Sequence, residues 1–312
     1  MFSRATTVEF AAAIALCFNI VGAAAQEPPD YAALIAAPDR SAVDRATDAR
    51  RDPLQILTFI GARPGMKVLD MGAGSGYSTE LMARAVGPNG VVYGQNAPDF
   101  GARGKAAFEA RETTSAGKPI VALFYPFDDP LPPDVRNLDL VTFLFFYHDT
   151  TYMPVDRAKM NKKLFAALKP GGFLVVADHS AAAGAGTAVA RSLHRIEESV
   201  LRSEMEEAGF KLVGEGDFWR HPEDTRDFTT QPPTKPVDDF VLKFQKPQRS
   251  AMLQSRAGRR VGPRSSAEAS PRRFVHPNTT CEGSARSELV CLSPYLAIFF
   301  RAEEFPERTL DR

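Results

Sequence analysis

The chain has 312 residues, of which 44% are hydrophobic and 24% are charged, and its formal net charge at pH 7 is zero. This composition is ordinary for a globular protein and provides enough apolar residues for a sizeable core. The sequence has no stripe of Lys and Arg interleaved with aromatic residues, which argues against nucleic acid as a partner.

The first 25 residues have the pattern of a secretory signal. Arg4 gives a positive start, residues 10–21 are apolar, and three alanines at 23–25 form a small-residue cleavage site. The apolar run, of about 12 residues, is too short to span a bilayer. We therefore expect a mature protein exported to the bacterial periplasm, without stable membrane insertion, or a cytoplasmic one if the signal is not functional. An uncleaved apolar helix or anchor is the alternative.

The segment between this signal and residue 65 predicts short helices. Residues 26–40 are rich in Pro and Ala and predict a linker with a short helical turn. Residues 41–60 have the spacing of one or two helices, with Asp52 as a helix N-cap and Pro53 at the first helical position. A turn at 61–65 follows.

The strongest pattern in the chain is residues 67–77. A short apolar run at 68–71, which contains Asp70, predicts a strand in the core of a parallel sheet. Three glycines follow at alternate positions: Gly72, Gly74 and Gly76. They predict a tight turn that a ligand can approach closely, and residues 77–85 then predict a helix whose first amides point at that ligand. This order is typical of a nucleotide-like ligand at the carboxyl edge of an open α/β sheet.

After this stretch, apolar segments alternate with helical patterns as far as residue 247. Further strands are predicted at 91–95, 120–124, 138–147, 173–177, 210–214 and 240–244. Helices are predicted at 102–116, 153–168 and 187–208. The alternation predicts an α/β fold with a doubly wound, mostly parallel sheet and helices on both of its faces.

The last part of the chain, residues 248–312, has a different composition. It contains eleven Arg, no Lys and one Asp, and it lacks a sustained hydrophobic period. We expect a disordered tail, or a reading-frame accident translated after a true end near Pro247, with a small Arg-rich binding module as the alternative. The predicted organisation is a signal at 1–25, one domain at 26–247, and this tail. Residues 26–247 contain no Cys, so neither a disulfide framework nor a Cys-ligated metal is expected.

Three segments together resemble the class I S-adenosylmethionine-dependent methyltransferases: residues 68–76, 138–142 and 168–176. The resemblance covers about residues 50–247 and implies a Rossmann-like sheet of seven strands, of which the last, at 240–244, is antiparallel. A nicotinamide dehydrogenase is the competitor, but its fingerprint needs Gly or Ala at the position of Tyr77.

The resemblance implies S-adenosylmethionine as the cofactor. It places Asp70 near the amino-acid part of the cofactor, where a carboxylate suits the ammonium and sulfonium charges, and it places Gly72 and Gly74 along it. The other candidate cofactor-binding residues are Ser75, Gly76, Tyr77, Gln95, Asn96, Asp128 and Tyr147. For Asp70 the alternative is an acid that caps the following loop. For the glycines the alternative is that they serve only the turn.

One feature departs from the family. Its members commonly carry an acid at the end of the second strand, which accepts hydrogen bonds from the ribose, whereas this chain has Gln95 and Asn96 there. A neutral amide is a weaker acceptor than a carboxylate. Asp128 or Asp129 is a candidate to face the adenine amino group, and a solvated loop acid is the alternative.

The candidate catalytic residues are His148 and Asp149 after the fourth strand and His179 after the fifth. Either histidine would titrate near neutral pH and could accept a proton from a substrate. His194, on the next helix, brings a third of the five histidines to the same expected cleft, where it is expected to be a structural residue bonded to a neighbour. A metal held by His148, His179 and an acid has no tight ligand spacing to support it, so no metal site is predicted.

Two functions from different classes remain open. The first is an exported methyltransferase that acts on a small-molecule acceptor by direct displacement at the sulfonium methyl, with catalysis mostly by positioning. The second is an exported binding protein that kept the fold without methyl transfer, which the missing ribose acid and the export signal favour. A third function is a different enzymatic reaction that uses the His and Asp residues after the fourth and fifth strands. The sequence predicts neither the acceptor nor the oligomeric state.

Overall fold

The computed structural model describes residues 26–248, which form a seven-stranded sheet with helices on both faces. The strands are β1 (Lys67–Met71), β2 (Val91–Asn96), β3 (Ile120–Phe124), β4 (Leu138–Leu144), β5 (Leu168–His179), β6 (Lys211–Gly216) and β7 (Asp239–Gln245). Their order is β3-β2-β1-β4-β5-β7-β6. The pairs from β3 to β5 are parallel, and β7 is antiparallel to both β5 and β6. The predicted sheet with an antiparallel last strand is confirmed.

The sheet separates two apolar layers. Because successive side chains of a strand point to opposite faces, Val68 packs in one layer and Leu69 in the other, and both are fully buried. Phe108 lies in the first layer and Phe143 in the second. The strands at the centre of the sheet are therefore continuous apolar runs, as a doubly covered parallel sheet requires.

The helices are α1 (Tyr31–Ile35), α2 (Ala42–Arg51), α3 (Pro53–Ile60), α4 (Tyr77–Val86), α5 (Ala102–Glu112), α6 (Arg157–Ala167), α7 (Ala190–Leu193) and α8 (Glu198–Ala208). Pro53 is the first residue of α3, as predicted, but Asp52 makes no side-chain capping bond because it has left-handed backbone angles, with φ 38°. In the described part of the chain, none of the helices combines the length and the apolarity that crossing a bilayer would need.

The predicted long helix at 187–208 is wrong. The chain forms the short α7, leaves the helix at His194 with φ 54°, and enters α8 only at Glu198. Between the two helices, the amide of Ile196 donates to the carbonyl of His179 at 3.0 Å. Arg195 is buried there and pairs with Asp224 at 2.8 Å. These tertiary contacts outweigh the helical spacing of the apolar residues, because intrinsic helix preference is weak by comparison.

The predicted fourth strand is three residues too long. It ends at Leu144, because Phe145 has φ 60° and turns the chain away from the sheet. A 3₁₀ helix, His148–Thr151, follows. The predicted signal at 1–25 and nearly all of the predicted tail, residues 249–312, lie outside the described residues.

Candidate functional site

The connection from β1 to α4 is a glycine bend, residues 72–76. Its three glycines have positive φ angles, 62° at Gly72, 57° at Gly74 and 87° at Gly76, a region that residues with a Cβ rarely adopt. A Cβ added to Gly74 would meet no atom within 4 Å. The backbone of the bend is therefore open to close approach at Gly74.

Asp70 lies below this bend and is only 1% exposed. Its Oδ2 accepts hydrogen bonds from the hydroxyls of Ser78 at 2.9 Å and Thr79 at 2.6 Å, and its Oδ1 accepts one from Thr142 at 2.7 Å. Burial raises the pKa of the Asp70 carboxyl, and these hydroxyls offset only part of that increase. These hydrogen bonds tie α4 and β4 to β1.

The two amides that replace the family's acid bind the bend itself. Gln95 accepts a hydrogen bond from the amide of Gly72 at 3.2 Å and donates one to the carbonyl of Tyr125 at 2.7 Å. Asn96 accepts from the amide of Gly74 at 2.9 Å and donates to the carbonyl of the same residue at 3.0 Å. Both side chains are buried. They therefore hold the bend in shape.

The Gly72 side of the bend is covered by an aromatic ring. A Cβ added to Gly72 would lie 3.0 Å from Cγ of Phe146. The Phe146 ring stacks on Phe127 with 5.0 Å between the ring centroids. The bend is thus closed at Gly72 and open at Gly74.

A narrow, mostly apolar cavity lies beside the bend, between α3, α4 and the end of β4. Arg51 and Trp219 are among its lining residues. The Arg51 guanidinium lies 4.9 Å from the ring centre of Phe145 and 5.7 Å from that of Tyr77. Within residues 26–248 it has no hydrogen bond or ion pair, and the buried Nε1 of Trp219 has no acceptor. Burial lowers the pKa of Arg51. The cavity thus offers a half-buried guanidinium and one buried indole N–H without an acceptor, which suits an anionic group.

Three further residues predicted to bind the cofactor, Ser75, Gly76 and Tyr77, lie in the bend or at the start of α4. Ser75 and Tyr77 belong to the bend and the start of α4: the Ser75 carbonyl accepts from Arg111 at 2.6 Å, and the Tyr77 hydroxyl donates to Asp48 at 2.7 Å. Gly76 has room only for hydrogen, because a Cβ there would lie 2.9 Å from the Arg111 side chain.

Asp128 and Tyr147 bond elsewhere. Asp128 pairs with Lys159 at 2.9 Å in the loop after β3. Tyr147 is fully buried, and its hydroxyl bonds with Asn161 at 2.7 Å and Glu204 at 2.5 Å, on α6 and α8. The structure therefore does not bring the polar groups of these two residues to the bend.

The three predicted catalytic residues meet at the carboxyl edges of β4 and β5. His148 is fully buried, and its Nδ1 lies 2.7 Å from Oδ1 of Asp178. Burial lowers the pKa of His148, but the Asp178 carboxylate outweighs burial and raises it overall. The other ring nitrogen, Nε2, lies 3.4 Å from Oδ1 of Asp149 and 3.4 Å from Nδ1 of His194. His194 reaches this group because the chain leaves the helix at that residue, which the spacing of apolar residues did not reveal.

His179 lies beside this group. Its Nδ1 lies 2.6 Å from Oδ1 of Asp239, and its ring stacks on Phe145 with 5.0 Å between centroids. Burial raises the pKa of the Asp239 carboxyl, and the nearby His179 offsets only part of the increase. The side chain of His179 is 16% exposed, whereas that of His148 is not exposed.

The sequence matches the family model described as a methyltransferase domain over residues 45–215, which is more than half of the chain. The chain belongs to this methyltransferase family. The predictions of the family and of S-adenosylmethionine as its cofactor are thereby confirmed.

Several known proteins align with parts of this chain. The ubiquinone/menaquinone biosynthesis C-methyltransferase UbiE of Vibrio vulnificus is 31% identical over 120 residues, 38% of this chain and 44% of that protein. A protein-L-isoaspartate O-methyltransferase of Aeropyrum pernix is 51% identical over 39 residues, 12% of this chain and 15% of that protein. The chain thus spans less than half the length of these curated relatives. The crystal structure of a SAM-dependent methyltransferase from Aquifex aeolicus aligns with 65% of this chain and 97% of that one, at 18% identity and a TM-score of 0.47.

Proposed function

We propose that the chain transfers the methyl group of S-adenosylmethionine to a small acceptor. The observation that carries this proposal, beside the family, is the cavity next to the glycine bend. There Arg51 and Trp219 present N–H groups without partners among the described residues. A carboxylate would accept from both, and charge-assisted hydrogen bonds are the stronger kind. The amino-acid part of the cofactor ends in such a carboxylate.

The chain's own residues fit this cofactor in two places. Arg51 and Trp219 would bind its carboxylate, and the open backbone at Gly74 would allow close approach. When bound, the cofactor supplies an electrophilic methyl carbon on a sulfonium. The contribution of the protein is then mostly to hold the acceptor in line with that methyl.

We assign the proton acceptor to His179 among the three predicted candidates. Phe145 lies between Arg51 and His179, in contact with both, so His179 is on the same side of the sheet edge as the cavity. Its Nδ1 is held by Asp239, which leaves Nε2 to accept a proton from the acceptor. His148 is fully buried and less suited to that role.

Calorimetric titration of the purified protein with S-adenosylmethionine tests the cofactor site. The Arg51→Met variant should bind about 10- to 100-fold more weakly, because a hydrogen bond to a charged group is worth about 1.5–3 kcal/mol. Arg50→Met is the matched control, since Arg50 lies on the same helix, is exposed, and has no side-chain partner within residues 26–248. Absence of binding at millimolar cofactor, or equal affinity of all three proteins, would refute the assignment.

Transfer of a labelled methyl group to a small-molecule extract of cells tests the base. His179→Asn should bind the cofactor as the wild type does and transfer the methyl group far more slowly. His221→Asn, in the loop after β6, is the control and should be fully active. Unchanged transfer by His179→Asn would remove this residue from the mechanism.

The second candidate function, binding without methyl transfer, has one observation in its favour. Gln95 and Asn96 stand where the family commonly has an acid, and both are already bonded to the bend. This function predicts that no acceptor in the extract becomes labelled, whatever the affinity for the cofactor.

Export to the periplasm remains part of the proposal and depends on residues 1–25. Protein recovered from the periplasmic fraction should begin at Gln26, which N-terminal sequencing would show. An intact N-terminus on protein found only in the cytoplasm would contradict export.

A further inference from the structure

Three metal-ligating atoms converge at the carboxyl edges of β4 and β5. They are Nε2 of His148, Nδ1 of His194 and Oδ1 of Asp149. The distances between them are 3.4 Å for the two imidazole nitrogens, 3.4 Å from His148 to Asp149, and 3.6 Å from His194 to Asp149. His148 and Asp149 are buried and His194 is partly exposed.

These separations fit ligands of one ion better than hydrogen-bonded partners. Hydrogen bonds between nitrogen and oxygen are usually about 2.7–3.2 Å long, and both distances to Asp149, 3.4 and 3.6 Å, exceed that range. Ligands that each lie about 2.1 Å from a tetrahedral ion are about 3.4 Å apart. The three atoms therefore have the spacing of one face of a tetrahedral site.

The surroundings of His148 match those of a metal-bound histidine. Its Nδ1 lies 2.7 Å from Oδ1 of Asp178, which fixes the tautomer that leaves the Nε2 lone pair directed at the group. Asp178 is itself held, since it accepts from the backbone amides of His148 at 2.8 Å and His179 at 2.9 Å. Histidine ligands almost always donate their second N–H to such a carboxylate or carbonyl.

The other two ligands are also held in place. Oδ1 of Asp149 accepts a hydrogen bond from the hydroxyl of Tyr152. His194 has left-handed backbone angles, with φ 54°, and its amide donates to the carbonyl of Ala190 at 3.0 Å. Such strained backbone persists only where the surroundings hold it, and it is common at functional sites.

We propose that His148, Asp149 and His194 bind a divalent transition-metal ion, with Zn²⁺ as the best match. Two imidazoles and a carboxylate are a ligand set that Zn²⁺ takes at catalytic sites, with a fourth position left for water or a substrate atom. No fourth His, Cys, Asp or Glu of residues 26–248 joins the group. The sequence alone predicts no metal, because His148, His179 and a nearby acid have no tight ligand spacing along the chain.

Metal binding by the full-length protein tests this proposal without reference to S-adenosylmethionine. Protein treated with a chelator and dialysed should take up one equivalent of Zn²⁺ per chain. With Co²⁺ as the probe it should give the intense visible absorption of a four-coordinate ion. Each result concerns the metal alone, so it can fail while the proposed methyl transfer stands.

The decisive variant is His194→Asn, because Asn tolerates left-handed backbone angles and the fold should survive. It should bind Zn²⁺ about 100-fold more weakly or worse, since even loss of a partner behind a ligand costs about 10- to 100-fold. Asp149→Asn should do the same, while His221→Asn, which removes a histidine outside the group, should bind as the wild type does. Thermal unfolding of the metal-free variants shows that each is folded.

Two results would overturn the proposal. One is wild-type protein that takes up no Zn²⁺ or Co²⁺ at micromolar concentration. The other is uptake that His194→Asn and Asp149→Asn leave unchanged, which would mean that the ion binds elsewhere and that the three atoms form only a hydrogen-bonded cluster.

Discussion

Asn96 binds both backbone groups of Gly74: its Oδ1 accepts from the Gly74 amide at 2.9 Å and its Nδ2 donates to the Gly74 carbonyl at 3.0 Å. The end of β2 thus fixes the glycine bend after β1 through one neutral side chain. An acid at position 96 could accept the first of these bonds but could not donate the second.

Asn96→Asp should therefore destabilise the protein by about 1–3 kcal/mol, since it removes the donor to a part-buried carbonyl and puts a carboxylate at a buried position. Urea unfolding measures the change. Asn89→Asp is the control, because Asn89 is exposed in the turn before β2 and should change the stability by less than about 0.5 kcal/mol. Equal stability of the two variants would show that the second bond is not formed in solution.

Alanine substitutions at Gly72 and Gly74 distinguish the destabilisation due to backbone strain from that due to steric crowding. Both have left-handed angles, so Ala should cost about 1–2 kcal/mol at either position. At Gly72 the new Cβ also meets the Phe146 ring at 3.0 Å, whereas at Gly74 it meets nothing within 4 Å. Gly72→Ala should thus be less stable than Gly74→Ala by about 1–3 kcal/mol, which is the usual cost of overpacking. Phe146→Leu in the Gly72→Ala background should recover part of the difference.

Stability in acid should depend on Asp44. Burial raises the pKa of its carboxyl, but the two hydrogen bonds from the Arg111 guanidinium, both 2.8 Å, outweigh burial and hold the pKa below its ordinary value. A carboxyl with a lowered folded-state pKa binds its proton more weakly in the folded state. Its stabilising contribution is therefore complete above the ordinary pKa of about 3.9 and is lost as the pH falls below it.

Urea unfolding between pH 2 and pH 6 checks this dependence. Asp44→Asn, which cannot titrate, should be less stable than the wild type at pH 6 and should lose less stability on acidification below about pH 4. The same loss on acidification in both proteins would show that other carboxyls account for it.

The buried pair of Arg195 and Asp224 should be critical for folding. Neither side chain is exposed, and Arg195 also donates to the carbonyls of Ser180 at 2.9 Å and Phe228 at 3.1 Å. Arg195→Met should cost about 3–5 kcal/mol, because it leaves a buried carboxylate without its partner. Arg202→Met removes only surface ion pairs and should cost less than about 1 kcal/mol. Thermal unfolding compares the two variants, and similar midpoints would contradict the prediction.

The positions of the strands along the chain and the glycine bend could be predicted because their signals are local. A branched apolar run such as residues 68–71 is typical of a buried strand, and three glycines at alternate positions indicate a turn with positive φ. The break at His194 could not be predicted in this way. The residues around it have helical spacing, and only the burial of Arg195 and the bond from Ile196 to His179 stop the helix.

The sequence by itself determined the doubly wound sheet, the bend after β1, and the presence of His148, Asp149 and His179 at one edge of that sheet, because hydrophobic period and parallel connections act over a few residues at a time. Only the tertiary structure decided which polar groups meet. It joined His194 to His148 across 46 positions and Gln95 to Gly72 across 23, and no local pattern encodes such pairs. These pairs form only when segments far apart in the sequence pack together, so the contacts between the side chains of the site depend on the folded structure.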